Sequence, residues 1–253
     1  MENLSLVPAH KLNEAYTGSI EKRRTTLLGL AFIIATVTAI IGLKLYDPIL
    51  LNENYLIIGI SQKRQIAFGA ISEMLLICAN SFTAILMYPY LKLFSQRLGI
   101  AYICFRLLEV VFILIGIVSV LALLSVTQVY QHNSEASLES YKVVGTSLKA
   151  IHDWTFILGP YFSLAINTFI YSYVFFKSGL VPRQLSIWGI SGAVFVFTAA
   201  LMQILEMKQS VTLEAMVLAM PIATYEMVLA GWLITKGFNL KSVTNKLSAD
   251  NSK

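Results

Sequence analysis

Charge sits in this chain where charge is expensive. Glu73, Arg106, Glu109 and Glu226 lie inside long apolar stretches, and His152 and Asp153 stand together at the head of another. A charged side chain at the centre of a membrane helix costs roughly 2.5–3.5 kcal/mol on insertion scales, so such residues face a bundle interior and find partners. Arg106 and Glu109 are three residues apart. That spacing puts them on one helix face about 60° wide, shared by Tyr102, and predicts an ion pair within the helix. Glu73 and Asn80 align along one face of the second stretch. Glu226, beside Tyr225, lies roughly 15 Å from the end of the last stretch and Arg106 roughly 10 Å from the start of the third, at the α-helical rise. The two meet if those helices are neighbours.

These residue types support acid–base work and ligand anchoring. Three mid-span glutamates face one arginine, so at least one acid is neutral or paired with something outside the spans. Such a carboxyl can relay a proton, act as a general acid or donate a hydrogen bond to a ligand. Glu73, Glu226 and His152 are the catalytic candidates. Arg106 is the natural anchor for an anionic head group. His152 and Asp153 point about 100° apart and are not expected to face the same spot; Asp153 is placed to cap its helix or to pair across. The ligand-binding candidates are therefore Glu73, Asn80, Tyr102, Arg106, Glu109, His152, Asp153, Tyr225 and Glu226. Pro160 and Pro221 interrupt helical ladders, the second freeing the carbonyl of Val217, and Gly159 beside Pro160 predicts a bend. Kinks at such depth line cavities in membrane proteins.

The elements that hold these residues follow from composition. The 253 residues are 57% hydrophobic and only 13% charged, with a mean hydropathy of +0.70. A soluble domain carries roughly 25% charged residues, so disorder, a disulfide-stapled secreted domain and a fibrous repeat are excluded. A helix needs about 20 mostly apolar residues to cross a bilayer. Six stretches qualify: Thr25–Leu43, Gln65–Leu91, Ile100–Thr127, Trp154–Phe176, Leu185–Leu205 and Leu213–Thr235. The expectation is an all-α, polytopic integral membrane protein, a six-transmembrane-helix bundle over residues 25–236 flanked by tails at 1–24 and 237–253. The run after Glu21-Lys22-Arg23-Arg24 is of span length, which reads as an uncleaved first span. Twelve lysines and arginines fall on one side, six on the other, and Arg106 alone within a span. The positive-inside rule puts both termini in the cytoplasm, which explains the basic pI without a nucleic-acid partner.

Between the spans, Tyr46–Arg64 contains apolar pieces that suit an interfacial segment. Leu138, Tyr141, Val144, Leu148 and Ile151 recur at helical steps, so the fourth helix is expected to start well before Trp154 with that face apolar. The chain up to about Tyr16 and after Phe238 reads as polar and unpacked. Cys78 and Cys104 read as buried packing residues. Tyr88-Pro89-Tyr90 and Tyr171-Ser172-Tyr173 end the second and fourth spans alike, a likeness that aromatic belts account for without duplication.

Several chemistries are argued against. No phosphate-binding glycine loop or serine elbow is present. His10 and His132 lie outside the spans, which leaves no three-histidine metal site, no haem pair and no need for a cofactor. The Glu-x-x-His pairs of di-iron bundles are also missing.

Four pieces of sequence, in order, resemble the bacterial domain-of-unknown-function family 4386. They are Ala101–Glu109 ending Arg106-Leu107-Leu108-Glu109; His152-Asp153-Trp154-Thr155-Phe156-Ile157-Leu158-Gly159-Pro160; Ser178-Gly179-Leu180-Val181-Pro182-Arg183; and Tyr225-Glu226 followed by Gly231–Phe238. The likeness runs from about Glu21 to Asn239. It implies a bacterial multi-span membrane protein in which the charged residues above occupy motif positions, and it brings no established activity.

Three functions compete on this reading. One is a bundle in the bacterial cytoplasmic membrane whose polar cavity, near the midplane, binds a small amphipathic or lipid-like molecule and acts on it by acid–base chemistry. The second is a proton-coupled small-solute transporter, for which a homodimer would supply twelve helices. The third is a non-catalytic membrane partner or scaffold with structural ion pairs. Membrane lipids are the expected partners of all three.

Overall fold

The computed structural model describes residues 9–132, 138–206 and 213–240, and side chains over 18–132, 138–206 and 216–240. Glu135, Lys208, most of the C-terminal tail and the side chains of His10 and Glu214 lie outside the described residues. Within them the chain is all helical: α1 (Ala9–Leu50), α2 (Tyr55–Ser61), α3 (Lys63–Phe94), α4 (Gln96–His132), α5 (Leu138–Phe156), a π-helical turn (Ile157–Ser163), α6 (Leu164–Ser178), α7 (Arg183–Leu205) and α8 (Leu213–Thr235). Five of these, α1, α3, α4, α7 and α8, are long and apolar enough to cross a membrane. Their outward faces carry Ile34, Ile71, Val118 and Val194, all exposed.

The helical chain extends back to Ala9, through residues expected to be unpacked. Alanine, leucine, lysine and glutamate there are strong helix formers, and the first span supplies a nucleus to extend. Cys78 and Cys104 face outward rather than inward. A helix in lipid is apolar all round, so membership of an apolar run does not tell inside from outside.

The fourth stretch is built from three pieces, the end of α5, the π turn and α6. Pro160 lies in the π turn. Proline lacks an N–H and its ring presses on the carbonyl one turn back; the wider π spacing relieves both. The expected bend takes this form.

Contacts at the two ends of the bundle define the path. At one end the Lys22 ammonium donates to the carbonyls of Ile234, at 2.8 Å, and Thr235. Nearby, the Tyr90 hydroxyl donates to Glu21 at 2.8 Å, and the Phe238 ring packs on Tyr90 and Phe175 with centroids 4.5 and 5.3 Å apart. At the other end the Tyr55 hydroxyl donates to the Lys142 carbonyl at 3.3 Å, Lys149 reaches the Asn52 carbonyl at 3.4 Å, and Tyr130 meets Tyr141. The bundle is thus traversed up and down, with α5, the π turn and α6 forming one passage.

Ser178–Arg183 is a corner. Gly179 adopts φ +75°, a left-handed helix stop open to glycine, and its N–H returns to the Phe175 carbonyl at 2.8 Å. Pro182 then precedes α7 as its N-cap. The Asn239 N–H donates to Leu180 at 2.9 Å and ties the segment after α8 onto this corner.

In the segment after Tyr46, Ile49 near the end of α1 and Tyr55 and Leu56 of α2 are buried, while Leu51 and Ile57 are exposed. The third loop becomes α5 from Leu138, as its periodicity predicts, but on a rotated face. Gly145, His152 and Thr155 are buried, while Leu138, Val144 and Ile151 are exposed. Gly145 faces α2 closely, and a Cβ on it would overlap the Tyr55 hydroxyl.

Two further glycines set the α1–α3 crossing. A Cβ on Gly69 would stand 2.7 Å from the Tyr46 ring, and one on Gly42 would stand 2.7 Å from Cγ of Glu73. Each helix thus receives a large side chain of the other in a notch. Gly69→Val should lower stability by about 1–3 kcal/mol, the usual cost of overpacking. Gly231→Ala, with nothing within 4 Å of the new methyl, should be neutral or gain up to about 1 kcal/mol. Thermal unfolding in detergent measures both.

Candidate functional site

The charged residues converge on a cavity. It has a volume of about 370 Å³ and lies among α1, α3, α4, α5, the π turn and α8. Its wall is largely apolar, with Leu76, Ile113, Phe156, Tyr161 and Ile222 prominent, and Glu73, Asn80, Arg106, Glu109, His152 and Glu226 enter it.

Arg106 and Glu109 form the predicted ion pair, with Nη1 of Arg106 at 3.1 Å from Oε2 of Glu109. They are 1% and 3% exposed. Asn80 donates from Nδ2 to Oε1 of Glu109 at 3.0 Å, and Asn167 donates to Oε2. One face of the guanidinium lies over the Tyr102 ring, 5.8 Å from its centroid. The arginine Nε and Nη2 have no hydrogen-bond partner. Gly159 lets the π turn press against this spot, since a Cβ there would meet Phe112 at 2.8 Å and the Glu109 carbonyl at 3.3 Å. Arg106 is therefore paired with Glu109 through Nη1 while it also lines the cavity.

Glu73 occupies the Gly42 notch, 6% exposed, next to Tyr46. The His152 ring meets Tyr46 edge-on with centroids 5.9 Å apart and is in electrostatic range of Glu73. Its Nδ1 contacts Asp153 Oδ1 at 3.2 Å, although His152 lines the cavity and Asp153 does not. The 100° applies to the Cα–Cβ bonds, whereas a ring nitrogen and a carboxylate oxygen two bonds further out can close on each other. Asp153 itself stays outside the cavity wall. On α5 beyond it, partial burial pushes the Lys149 ammonium below its ordinary value, with Asp153 pulling the other way.

Glu226 is half-buried on the cavity wall and makes no hydrogen bond among the described residues; Arg106 and Glu109 are the charges within its range. The third and sixth expected helices are not packed neighbours, because α8 packs on α1 and α7. Glu226 faces the ion pair across the cavity instead. Its neighbour Tyr225 turns away into the core, stacked on Tyr171 at 6.2 Å and hydrogen-bonded to Ser172 at 2.9 Å. Of the nine binding candidates, six thus line one cavity, Tyr102 supports Arg106 from behind, and Tyr225 and Asp153 lie elsewhere. No three of the described His, Cys, Asp and Glu side chains come together as a metal site.

Two residues of this constellation escaped sequence reasoning. Asn167 is a lone buried amide in an apolar stretch, a signal equal to that of Asn80. Tyr46 was hidden by ending the first helix at Leu43.

A family model described as a domain of unknown function (DUF4386) matches residues 27–237. The chain belongs to this family. No curated protein and no solved structure gives a match. In this DUF4386 protein the four motif pieces divide by role. Arg106–Glu109, His152–Pro160 and Glu226 build the cavity, and Ser178–Arg183 is the corner that joins α6 to α7.

Breaking a buried ion pair from one side leaves an uncompensated charge and costs about 3–5 kcal/mol, whereas replacing both partners by apolar residues is often neutral. Arg106→Met alone should therefore lower stability strongly, and Arg106→Met with Glu109→Met should recover most of the loss. Thermal unfolding of the four proteins of this cycle checks it.

Proposed function

We propose that this DUF4386 protein crosses the bacterial cytoplasmic membrane six times, with both termini of the chain cytoplasmic, and binds a small amphipathic or lipid-like molecule in its central cavity. The topology draws support from parity. Lys22 before the first span bonds the last carbonyls of α8, so the chain makes an even number of passages between them. Five single helices cannot do that; the passage made of α5, the π turn and α6 is the sixth. The side carrying Lys22, Arg23 and Arg24 is the one with twelve of the basic residues, which the positive-inside rule assigns to the cytoplasm. Fluorescent-protein fusions after Lys253 should glow and alkaline phosphatase fusions there stay inactive, with the reverse in the segment 51–54. Any other pattern overturns the topology.

One observation carries the ligand reading. The cavity rim formed by Ile40 on α1 and Met216, Met220 and Ala223 on α8 is exposed on the outward face of the bundle, so the polar interior communicates sideways with the surroundings of the apolar helices. A molecule with a polar head and an apolar tail suits that gradient, and a water-soluble solute does not. A diazirine-bearing alkyl amphiphile, photolysed on the protein in lipid nanodiscs, should label 39–43 and 216–223 and be competed by excess unlabelled amphiphile. Labelling spread evenly over the outward faces, without competition, refutes this.

A further inference from the structure

We infer that the guest of this cavity bears a basic nitrogen, as in a long-chain alkylamine or an amine-headed lipid, and that Glu226 holds it. The inference rests on reading the cavity as an amphiphile site and adds the chemistry of the head group.

The charges offered by the wall decide the sign. Arg106 is neutralised by Glu109, whose two oxygens are further occupied by Asn80 and Asn167. An anion therefore meets an arginine whose charge the Glu109 carboxylate already balances through Nη1. What remains for a guest are two carboxyl groups and an imidazole. Glu73 is recessed in the Gly42 notch beside Tyr46 and His152. Glu226 alone of the acids is half-buried, lines the cavity and makes no hydrogen bond among the described residues. It is the charged group that a molecule in the cavity meets.

The rest of α8 supplies a track for a tail. Ala223, Ile222, Ala219 and Met216 stand three, four, seven and ten residues before Glu226 and line the same cavity, the spacing of one helix face. From Glu226 to Met216 is roughly 15 Å along the helix. Methionines at the far end adapt to a flexible chain. The proton balance closes in either state. A neutral amine takes the proton of the Glu226 carboxylic acid, giving ammonium and carboxylate, while an ammonium pairs directly with carboxylate. Both end in a charge-assisted hydrogen bond in a low-dielectric wall, where it is strong.

The rival is an anionic guest, for which the unfilled Nε and Nη2 of Arg106 would be the attraction. Equilibrium binding of radiolabelled dodecylamine and of dodecanoate to the full-length protein in phosphatidylcholine nanodiscs, corrected for empty nanodiscs, separates them. The expected result is saturable dodecylamine binding at one site, weakened at least tenfold by Glu226→Gln, and no saturable dodecanoate binding. Should Glu226→Gln fail to fold, Ala223→Phe, which fills the track, replaces it and must abolish the same binding. Saturable dodecanoate without dodecylamine overturns the head-group assignment and leaves the amphiphile cavity standing. Dodecylamine binding unchanged in a folded Glu226→Gln protein also overturns the assignment. Saturable binding of neither overturns both.

Discussion

An arginine with almost no exposed surface inside an apolar bundle must be neutralised, and its counter-charge must in turn have its own lone pairs met. Much of the molecule answers to that requirement. Glu109 is one helical step from Arg106 on α4, but its oxygens also need donors, and these arrive from α3 as Asn80 and from α6 as Asn167. Tyr102 stacks beneath the guanidinium. Three helices are thereby placed about one charge, and their register is set to within the tolerance of a hydrogen bond. The cavity is the space these constraints leave between the ion pair and the opposite walls of α1 and α8.

Close approach, not adhesive side chains, brings those walls in. In lipid the apolar faces gain little by leaving their surroundings, so association depends on packing and on small residues that let backbones near one another. Gly42, Gly69, Gly145 and Gly159 each admit a specific neighbour: Glu73, Tyr46, Tyr55 and the α4 backbone with Phe112. Three of the four admit groups of the cavity or its immediate support. Packing and site are here the same contacts viewed from two sides.

How much of this could be read from residues alone follows from what each signal encodes. The ion pair was legible because both partners share one helix and their spacing fixes their geometry. Glu73, Asn80 and Glu226 were legible as inward-facing because charge and amide in an apolar run admit few other places. Whatever depended on the relation between helices was not. Cys78 and Cys104 could not be assigned a side, since both faces of a lipid-embedded helix are apolar. The packed face of α5 was not legible, since of its periodic apolar residues Tyr141 and Leu148 pack on the core while Leu138, Val144 and Ile151 are exposed, and the small Gly145 meets Tyr55. The likeness to the DUF4386 family marked motif positions without saying which of them touch, and the family match over residues 27–237 leaves that question to geometry.

The π turn at Ile157–Ser163 has a meaning beyond the accommodation of Pro160. One additional residue in a turn sets the helix beyond it back by roughly 100° relative to an uninterrupted α-helix. His152 and Thr155 before the turn look into the cavity, and Asn167 after it looks at Glu109. In an unbroken α-helix Asn167 would stand roughly 120° from Thr155, against roughly 20° with the extra residue, so the turn brings the amide toward the phase of that side chain. The turn is a phase-shifter, letting a single passage of chain address the cavity with its first half and the buried charge with its second.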